Sequence, residues 1–179
     1  YTIEALLGDG KALQSGTSHN LGQNFSRAFG TQYLDTNNQQ QYVWQTSWGL
    51  STRFIGAIIL THGDDAGLRL PPRLAPIQVV IVPIYRDEAG RTAVMAAVER
   101  LRAALPAEVR VHVDVRDERP GFKFTEWEIK GVPLRIELGP RDVEQGVVTV
   151  VRRDDGSKTP VPQSELADRI GSLLDAVQD

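Results

Sequence analysis

The run Ile77–Ile84 (IQVVIVPI) limits what this chain can fold into more than any other stretch. An unbroken β-branched segment of this kind is the mark of a strand covered on both faces. Such a strand needs helices above and below it, so the run predicts a layered α/β unit. The residues that follow supply the layers. Glu88–Leu105 reads as a helix with an Ala-, Val- and Leu-rich face, Val109–Val115 as an alternating strand, and Gly121–Lys130 as a short amphipathic helix. Val132–Leu138 is a strand and Gly139–Asp142 a turn. Val147–Val151 and Lys158–Val161 pair around the hairpin turn Asp154-Asp155-Gly156-Ser157. Pro162–Val177 closes as a helix, with Ser164 a candidate cap. The order β-α-β-α-β-β-β-α implies a compact layered fold with a mostly parallel core.

Just before this unit stands Pro71-Pro72-Arg73-Leu74-Ala75-Pro76, with three prolines in six residues. It reads as a stiff extended linker, which puts the domain boundary at 71–76 and separates 1–70 from 77–179. The first part has a different texture. Tyr1–Leu7 is strand-like, Gly8-Asp9-Gly10 is a turn, and Ala12–Gln14 returns as a strand that ends at Ser15–Ser18. Leu21–Phe29 carries a helical apolar face, with Ser18 or Asn20 as caps and Gly30 as the stop. Thr31–Thr36 and Gln40–Thr46 are strands around Asn37-Asn38. Thr52–Thr61 is an apolar helix that stops at His62-Gly63, and a turn at Asp64–Gly67 leads to a short strand, Leu68–Leu70. The chain opens directly in ordered sequence without an initiator Met, so a piece of a longer protein is expected.

Composition excludes several classes. Hydrophobic residues are 41% and charged residues 24%, which suits a globular chain rather than a disordered one. Cysteine is absent, which removes disulfides, thiol nucleophiles and Cys-ligated zinc and fits a reducing, cytoplasmic setting. No apolar run reaches membrane-spanning length. A net charge of −3 offers no broad basic field for nucleic acid, so any RNA contact must come from a local cluster.

Three clusters carry candidate chemistry. In TSWGLSTRFIGAIIL (Thr46–Leu60), Arg53 stands at the start of a helix, beside Trp48 and a Gly-containing turn, where it can meet a phosphate or carboxylate. The competing reading makes Arg53 a surface cation and Trp48 core. In the second cluster, Thr17 and His19 fall on one side of an extended segment with Gln14 nearby, offering a hydroxyl, an imidazole and an amide to one polar ligand. A helix-capping group explains the same residues. The third is Phe122-Lys123-Phe124-Thr125-Glu126-Trp127-Glu128, followed by Arg135 and by Arg141-Asp142. Rings on which bases stack, beside Arg and carboxylates that read base edges, suit single-stranded RNA. The alternative is a helix with an aromatic core face and a solvated charged face. His62-Gly63-Asp64-Asp65 matches no metal spacing, and no metal site is expected. Walker A, GxSxG, HExxH and GxGxxG motifs are absent.

Taken together, GTSHNLGQNF (Gly16–Phe25), GLSTRFIGA (Gly49–Ala57) with LPPRLAP (Leu70–Pro76), and PGFKFTEWEIKGVPLRIELGPRD (Pro120–Asp142) resemble prolyl-tRNA synthetases. The form resembled is the eukaryote/archaeon-like one found in some bacteria, and GLSTRFIGA resembles motif 3 of class II synthetases. The resemblance implies part of an antiparallel class II catalytic domain followed by a mixed-sheet α/β anticodon-binding domain. It implies a ligase that activates proline with ATP and Mg2+ and passes the prolyl group to tRNA(Pro), working as a homodimer when complete. Arg53 would be the catalytic arginine on the ATP phosphates, with Gln14, Thr17 and Ser51 also on the nucleotide and His19 and Trp48 in the proline pocket. Phe124, Glu128, Arg135, Arg141 and Asp142 would contact the anticodon guanines. Motifs 1 and 2 and the zinc-bearing C-terminal extension of the family are not in these residues, so proline activation by this chain alone is not expected, nor is zinc. A non-catalytic tRNA-binding or accessory protein on the same fold is the alternative. It predicts decay of the ATP-pocket residues, whereas all of them are in place.

Overall fold

A computed structural model describes residues 1–178. The chain divides into two compact units, Tyr1–Thr61 and His62–Asp179.

In the first unit, β1 (Thr2–Leu6), β2 (Ala12–Gly22) and β5 (Gln45–Leu50) form an antiparallel sheet in the order β1-β2-β5. Between them lie helix α1 (Asn24–Phe29) and the hairpin of β3 (Gln32–Leu34) with β4 (Gln40–Tyr42). Helix α2 (Arg53–His62) follows β5. The Asp35 carboxylate closes the β3–β4 turn by accepting from the amides of Asn37 and Gln39, and Asn38 takes the left-handed conformation there, as an Asn tolerates.

Two expectations change here. Strand β2 does not end at Gln14: it runs on through Ser15–Asn20, because β5 pairs with it from Gly16 to Gly22 and satisfies its backbone. His19 is therefore mid-strand, and neither Ser18 nor Asn20 caps a helix. Helix α1 begins only at Asn24, after Gln23, which makes no side-chain cap bond. The strand expected over Gln40–Thr46 is likewise split, and Gln45 starts β5. The unit buries little apolar surface. Among the described residues Ala57 is its only buried hydrophobic side chain, while Ile3, Leu6, Leu50, Ile55 and Leu60 stay exposed.

The second unit opens with a small hairpin, β6 (Gly63–Asp64) and β7 (Gly67–Leu68). Its main sheet comprises β8 (Val79–Pro83), β9 (Val111–Val113), β10 (Leu134–Leu138), β11 (Val147–Arg152) and β12 (Lys158–Pro162). The order is β12-β11-β10-β8-β9. Strands β9, β8 and β10 are parallel, and β11 and β12 complete the sheet antiparallel. The core is thus mixed, as a two-turn meander at the end of a parallel set must be.

Every residue of β8 is buried, as its composition predicts. Val79 and Ile81 face α3 (Glu88–Ala104) and α6 (Leu166–Gln178), in one cluster with Val94, Val98, Leu101 and Ile170. Val80 and Val82 face α4 (Pro120–Ile129), in a second cluster with Trp127 and Val132. Helix α3 starts where Asp87 accepts from the Gly90 amide at 2.7 Å. A short helix, α5 (Pro140–Gln145), replaces the turn expected at Gly139–Asp142: Pro140 sits at its first position and Asp142 accepts from the Gly139 amide at 2.7 Å.

The proline-rich segment belongs to this second unit. Arg110 donates to the carbonyls of Pro72 and Ala75, both at 2.9 Å, and Gln78 donates to Pro72 at 3.1 Å. Ala75 is fully buried. The prolines stiffen a segment that the second unit holds down, and the compact units divide ahead of it, after Thr61.

Candidate nucleic-acid interface and nucleotide cavity

Helix α4 is fixed in place from both ends, and this positions the aromatic and acidic residues it carries. Near its start, Lys123 is buried, with Nζ donating to the Asp114 carbonyl at 3.1 Å and standing 3.9 Å from its carboxylate. The buried Asp114 carboxylate accepts from Trp127 Nε1 at 2.7 Å and from Arg116 Nε and Nη2 at 2.9 and 2.7 Å. The Arg116 guanidinium holds the Asp114 carboxyl well below the usual carboxylate range, with the Trp127 and Arg116 N–H groups adding to it against the cost of burial. Arg116 reaches on to Glu126 at 2.7 Å, and Glu126 pairs with Lys130 at 2.6 Å.

The far end of α4 abuts the β6–β7 hairpin. Gly67 (φ 135°) and Gly131 (φ 72°) let the two backbones approach so closely that a Cβ on Gly67 would lie 2.8 Å from Ile129 O. Arg153 ties the hairpin to the sheet: its guanidinium donates to Asp64 at 2.9 and 2.6 Å and to the Glu128 carbonyl at 3.0 Å. That pairing lowers the Asp64 carboxyl to about 2. Among the described residues no group of three or more His, Cys, Asp or Glu could hold a metal ion.

Helix α4 covers only part of its face of the sheet, and a groove is left along β10–β12. A cavity of about 130 Å3 opens there, lined by Trp127, Glu128, Val132, Arg135, Val151, Arg152, Arg153, Gly156 and Lys158. The Arg135 guanidinium lies 4.4 Å from the centroid of the Phe124 ring. Arg152 is engaged by Asp154, and Arg153 by Asp64. Among the described residues the Glu128 carboxylate makes no hydrogen bond or ion pair. The groove therefore offers a flat cation on a ring, facing a free acceptor.

Phe124, Glu128 and Arg135 thus come together as the sequence suggested. Arg141 and Asp142 stand apart at the end of β10 and line no part of this cavity; Arg141 is exposed, and one Asp142 oxygen is used at the start of α5. Four charged residues in or beside the groove were not singled out from the sequence: Arg152, Arg153 and Lys158 in its lining, and Glu137 next to Arg135. The hairpin turn at 154–157 was legible, and counting back from it puts Lys158 opposite Val151, which in turn lies opposite Arg135.

In the first unit a cavity of about 350 Å3 lies between β2 and the β5–α2 junction. Gln14, Thr17, Trp48, Ser51 and Arg53 all line it, with Ser15, Gly16, Ser47, Gly49 and Leu50. Arg53 Nη1 reaches the Gln14 carbonyl at 3.4 Å, and the Arg53 amide reaches Ser51 Oγ at 3.3 Å. His19 is not in the lining; it sits opposite Ser47 further along the strand. Trp48 is 79% exposed, so it is not core, and it forms one wall of an open, polar-floored site.

A family model for the anticodon binding domain matches residues 78–173. The chain belongs to this anticodon-binding domain family. The matched residues contain the whole five-stranded sheet, the groove and α4. Over the chain as a whole, it is 57% identical to the proline–tRNA ligase of Roseiflexus sp. (strain RS-1), across 99% of the chain and 38% of that protein. It is 64% identical over 86% of its length to the chloroplastic/mitochondrial proline–tRNA ligase of Arabidopsis thaliana, of which it spans 29%. It is 56% identical over its full length to the proline–tRNA ligase of Clostridium novyi (strain NT), of which it spans 37%. The chain therefore spans well under half of these relatives, and the Roseiflexus and Clostridium matches extend over the residues ahead of the anticodon-binding domain as well.

Proposed function

We propose that this chain is part of a proline–tRNA ligase, supplying the domain that reads the tRNA(Pro) anticodon and one side of the ATP and proline pocket. The observation that carries the reading is the groove beside α4. Arg135, laid on Phe124, presents N–H donors, and the unpartnered Glu128 carboxylate presents acceptors across the same cavity. A guanine needs both: its O6 and N7 accept, and its N1–H and exocyclic amino group donate. Arg141 and Asp142, at the end of β10, contact the neighbouring anticodon nucleotide.

In the first unit Arg53 meets the ATP phosphates, where a fixed guanidinium offsets the charge that builds on the leaving pyrophosphate. Gln14, Thr17 and Ser51 face the nucleotide, and Trp48 borders proline, whereas His19, one register position away and on the other face of the sheet, does not join it there. Gln14, Thr17, Trp48, Ser51 and Arg53 share one cavity, which supports a ligase over an accessory RNA-binding protein, in which these residues have no reason to stay together. The apolar side chains exposed on β1, β5 and α2 are the surface on which the remainder of a larger catalytic domain packs. By itself the chain is not expected to exchange pyrophosphate with ATP in the presence of proline.

The test is equilibrium binding of the chain to an RNA stem–loop carrying the proline anticodon UGG, and to the same hairpin with either guanine replaced by adenine. Each replacement is expected to weaken binding by about 1–3 kcal/mol, the scale of a good bidentate base contact. Equal binding of all three hairpins refutes the reading.

A further inference from the structure

Glu137 lies between Arg135 and Lys158, two of the four cations that line the groove. Its Oε1 accepts from Nε and Nη2 of Arg135, both at 3.1 Å, and from Nζ of Lys158 at 3.4 Å. Alternation along β10 places Arg135 and Glu137 on the face that α4 covers, and the register extends that row through Val151 to Lys158 on β12. The Arg135 and Glu137 side chains are each 13% exposed, whereas Lys158 is 57% exposed at the open side.

A guanidinium has five N–H groups in a rigid plane. Here one edge is taken by Glu137, Nη1 reaches towards the Phe124 carbonyl at 3.5 Å, and the plane rests on the Phe124 ring. Without the carboxylate, rotation about the end of the Arg135 side chain is restrained only by the Phe124 ring and the long Nη1 contact to the Phe124 carbonyl. The group would then be a charge rather than a template. We propose that Glu137 is a positioning residue for base recognition: it sets the plane of Arg135 so that the remaining N–H groups meet one base edge, and it holds Lys158 where an RNA phosphate passes. This rests on the groove being the anticodon-reading site.

A positioning role separates specificity from affinity. Removing the negative charge of Glu137 makes the groove more basic, which favours any RNA through its phosphates. It also unfixes the arginine, which lowers only the preference for the right base. The readout is the ratio of affinities for the UGG stem–loop and its guanine-to-adenine counterpart, with thermal melting recorded alongside. In Glu137→Gln the ratio is expected to fall at least about fivefold, the lower bound for losing one bidentate base contact, while affinity for the guanine-substituted hairpin holds or rises. In an Arg135→Ala background, Glu137→Gln is expected to change the ratio no further. Glu137→Asp keeps the charge but withdraws the oxygen by one methylene, and it too is expected to lower the ratio.

An unchanged ratio in folded Glu137→Gln or Glu137→Asp, with Arg135→Ala abolishing discrimination, overturns the positioning role and leaves the anticodon reading standing. Parallel loss of affinity for both hairpins with a lowered melting temperature also overturns it, since that marks a merely structural residue. No discrimination by the unaltered chain overturns both.

Discussion

Replacing Asp114 with Asn tests what holds α4 in place. The Asp114 carboxylate is buried and takes four donated bonds, from the Arg116 side chain twice, the Arg116 amide and Trp127 Nε1, with the buried Lys123 ammonium 3.9 Å away. Asn keeps the shape but removes the charge and turns one acceptor into a donor facing other donors. Removing one partner of a buried ion pair costs about 3–5 kcal/mol, because the remaining ion is left uncompensated. Asn retains one acceptor, and Arg116 is partly exposed and keeps Glu126, so the lower end of that range, about 3 kcal/mol, is expected. For a unit of this size that corresponds to a drop of roughly 12 °C in melting temperature. Urea unfolding followed by tryptophan emission is the assay. Trp127 is buried in the second unit, and Trp44 and Trp48 are exposed in the first, so the emission shift reports on the α4 environment. Lys123→Met is expected to cost less than half as much, because Asp114 keeps Arg116 and Trp127. A loss under about 1 kcal/mol for Asp114→Asn, or a larger loss for Lys123→Met, refutes the claim that this carboxylate anchors the helix.

Because the folded Asp114 carboxyl is held well below its ordinary value, its contribution is complete above the ordinary carboxylate range and is lost as pH falls through the folded value. Stability of the second unit is thus expected to fall on acidification below about pH 4, and Asp114→Asn to flatten that dependence; a slope unchanged by the substitution contradicts this. Gly67→Ala is expected to destabilise the second unit by roughly 1–3 kcal/mol in chemical unfolding, from backbone strain alone, with the clash against Ile129 added; a neutral effect contradicts the close approach. Arg110→Ala is expected to speed hydrogen exchange at the Leu74 and Ala75 amides, both bonded to the Pro71 carbonyl, while α3 amides are unaffected; unchanged exchange means the proline segment does not depend on Arg110. In a complete ligase, Arg53→Ala is expected to abolish adenylate formation with tRNA binding nearly intact, measured by pyrophosphate exchange and filter binding; equal loss of both points to misfolding.

Most of the second unit was legible in sequence because its signals are local. The run at 77–84 announces a strand buried on both faces, and the Asp154–Ser157 turn fixes the register of β11 with β12. What was not legible depends on partners distant in sequence. Strand β2 extends to Gly22 because β5 lies beside it, which nothing in Ser15–Asn20 reveals. Lys123 reads as a solvated charge by composition, and it is buried only because Asp114, nine residues earlier, waits beneath α4. The same holds for the site. Residue type marked the cluster that holds Phe124, Glu128 and Arg135, and resemblance to the family singled out those three, whereas Glu137 and Lys158 gain their place from the sheet register. The prolines at 71–76 read as an extended linker, but the segment turns, with the Leu74 and Ala75 amides donating to the Pro71 carbonyl, and Arg110, which docks it, lies more than thirty residues away.

If the groove between α4 and β12 reads anticodon guanines, an RNA hairpin that carries them seats there. Amide chemical shifts of the chain, recorded while the UGG stem–loop is titrated in, test it most directly. Saturable shifts are expected at Phe124, Glu128, Arg135, Glu137 and Lys158, needing more RNA to saturate when the guanines are replaced, and small on the α3–α6 face. Shifts centred on α3 and α6, or identical for the two hairpins, would contradict it.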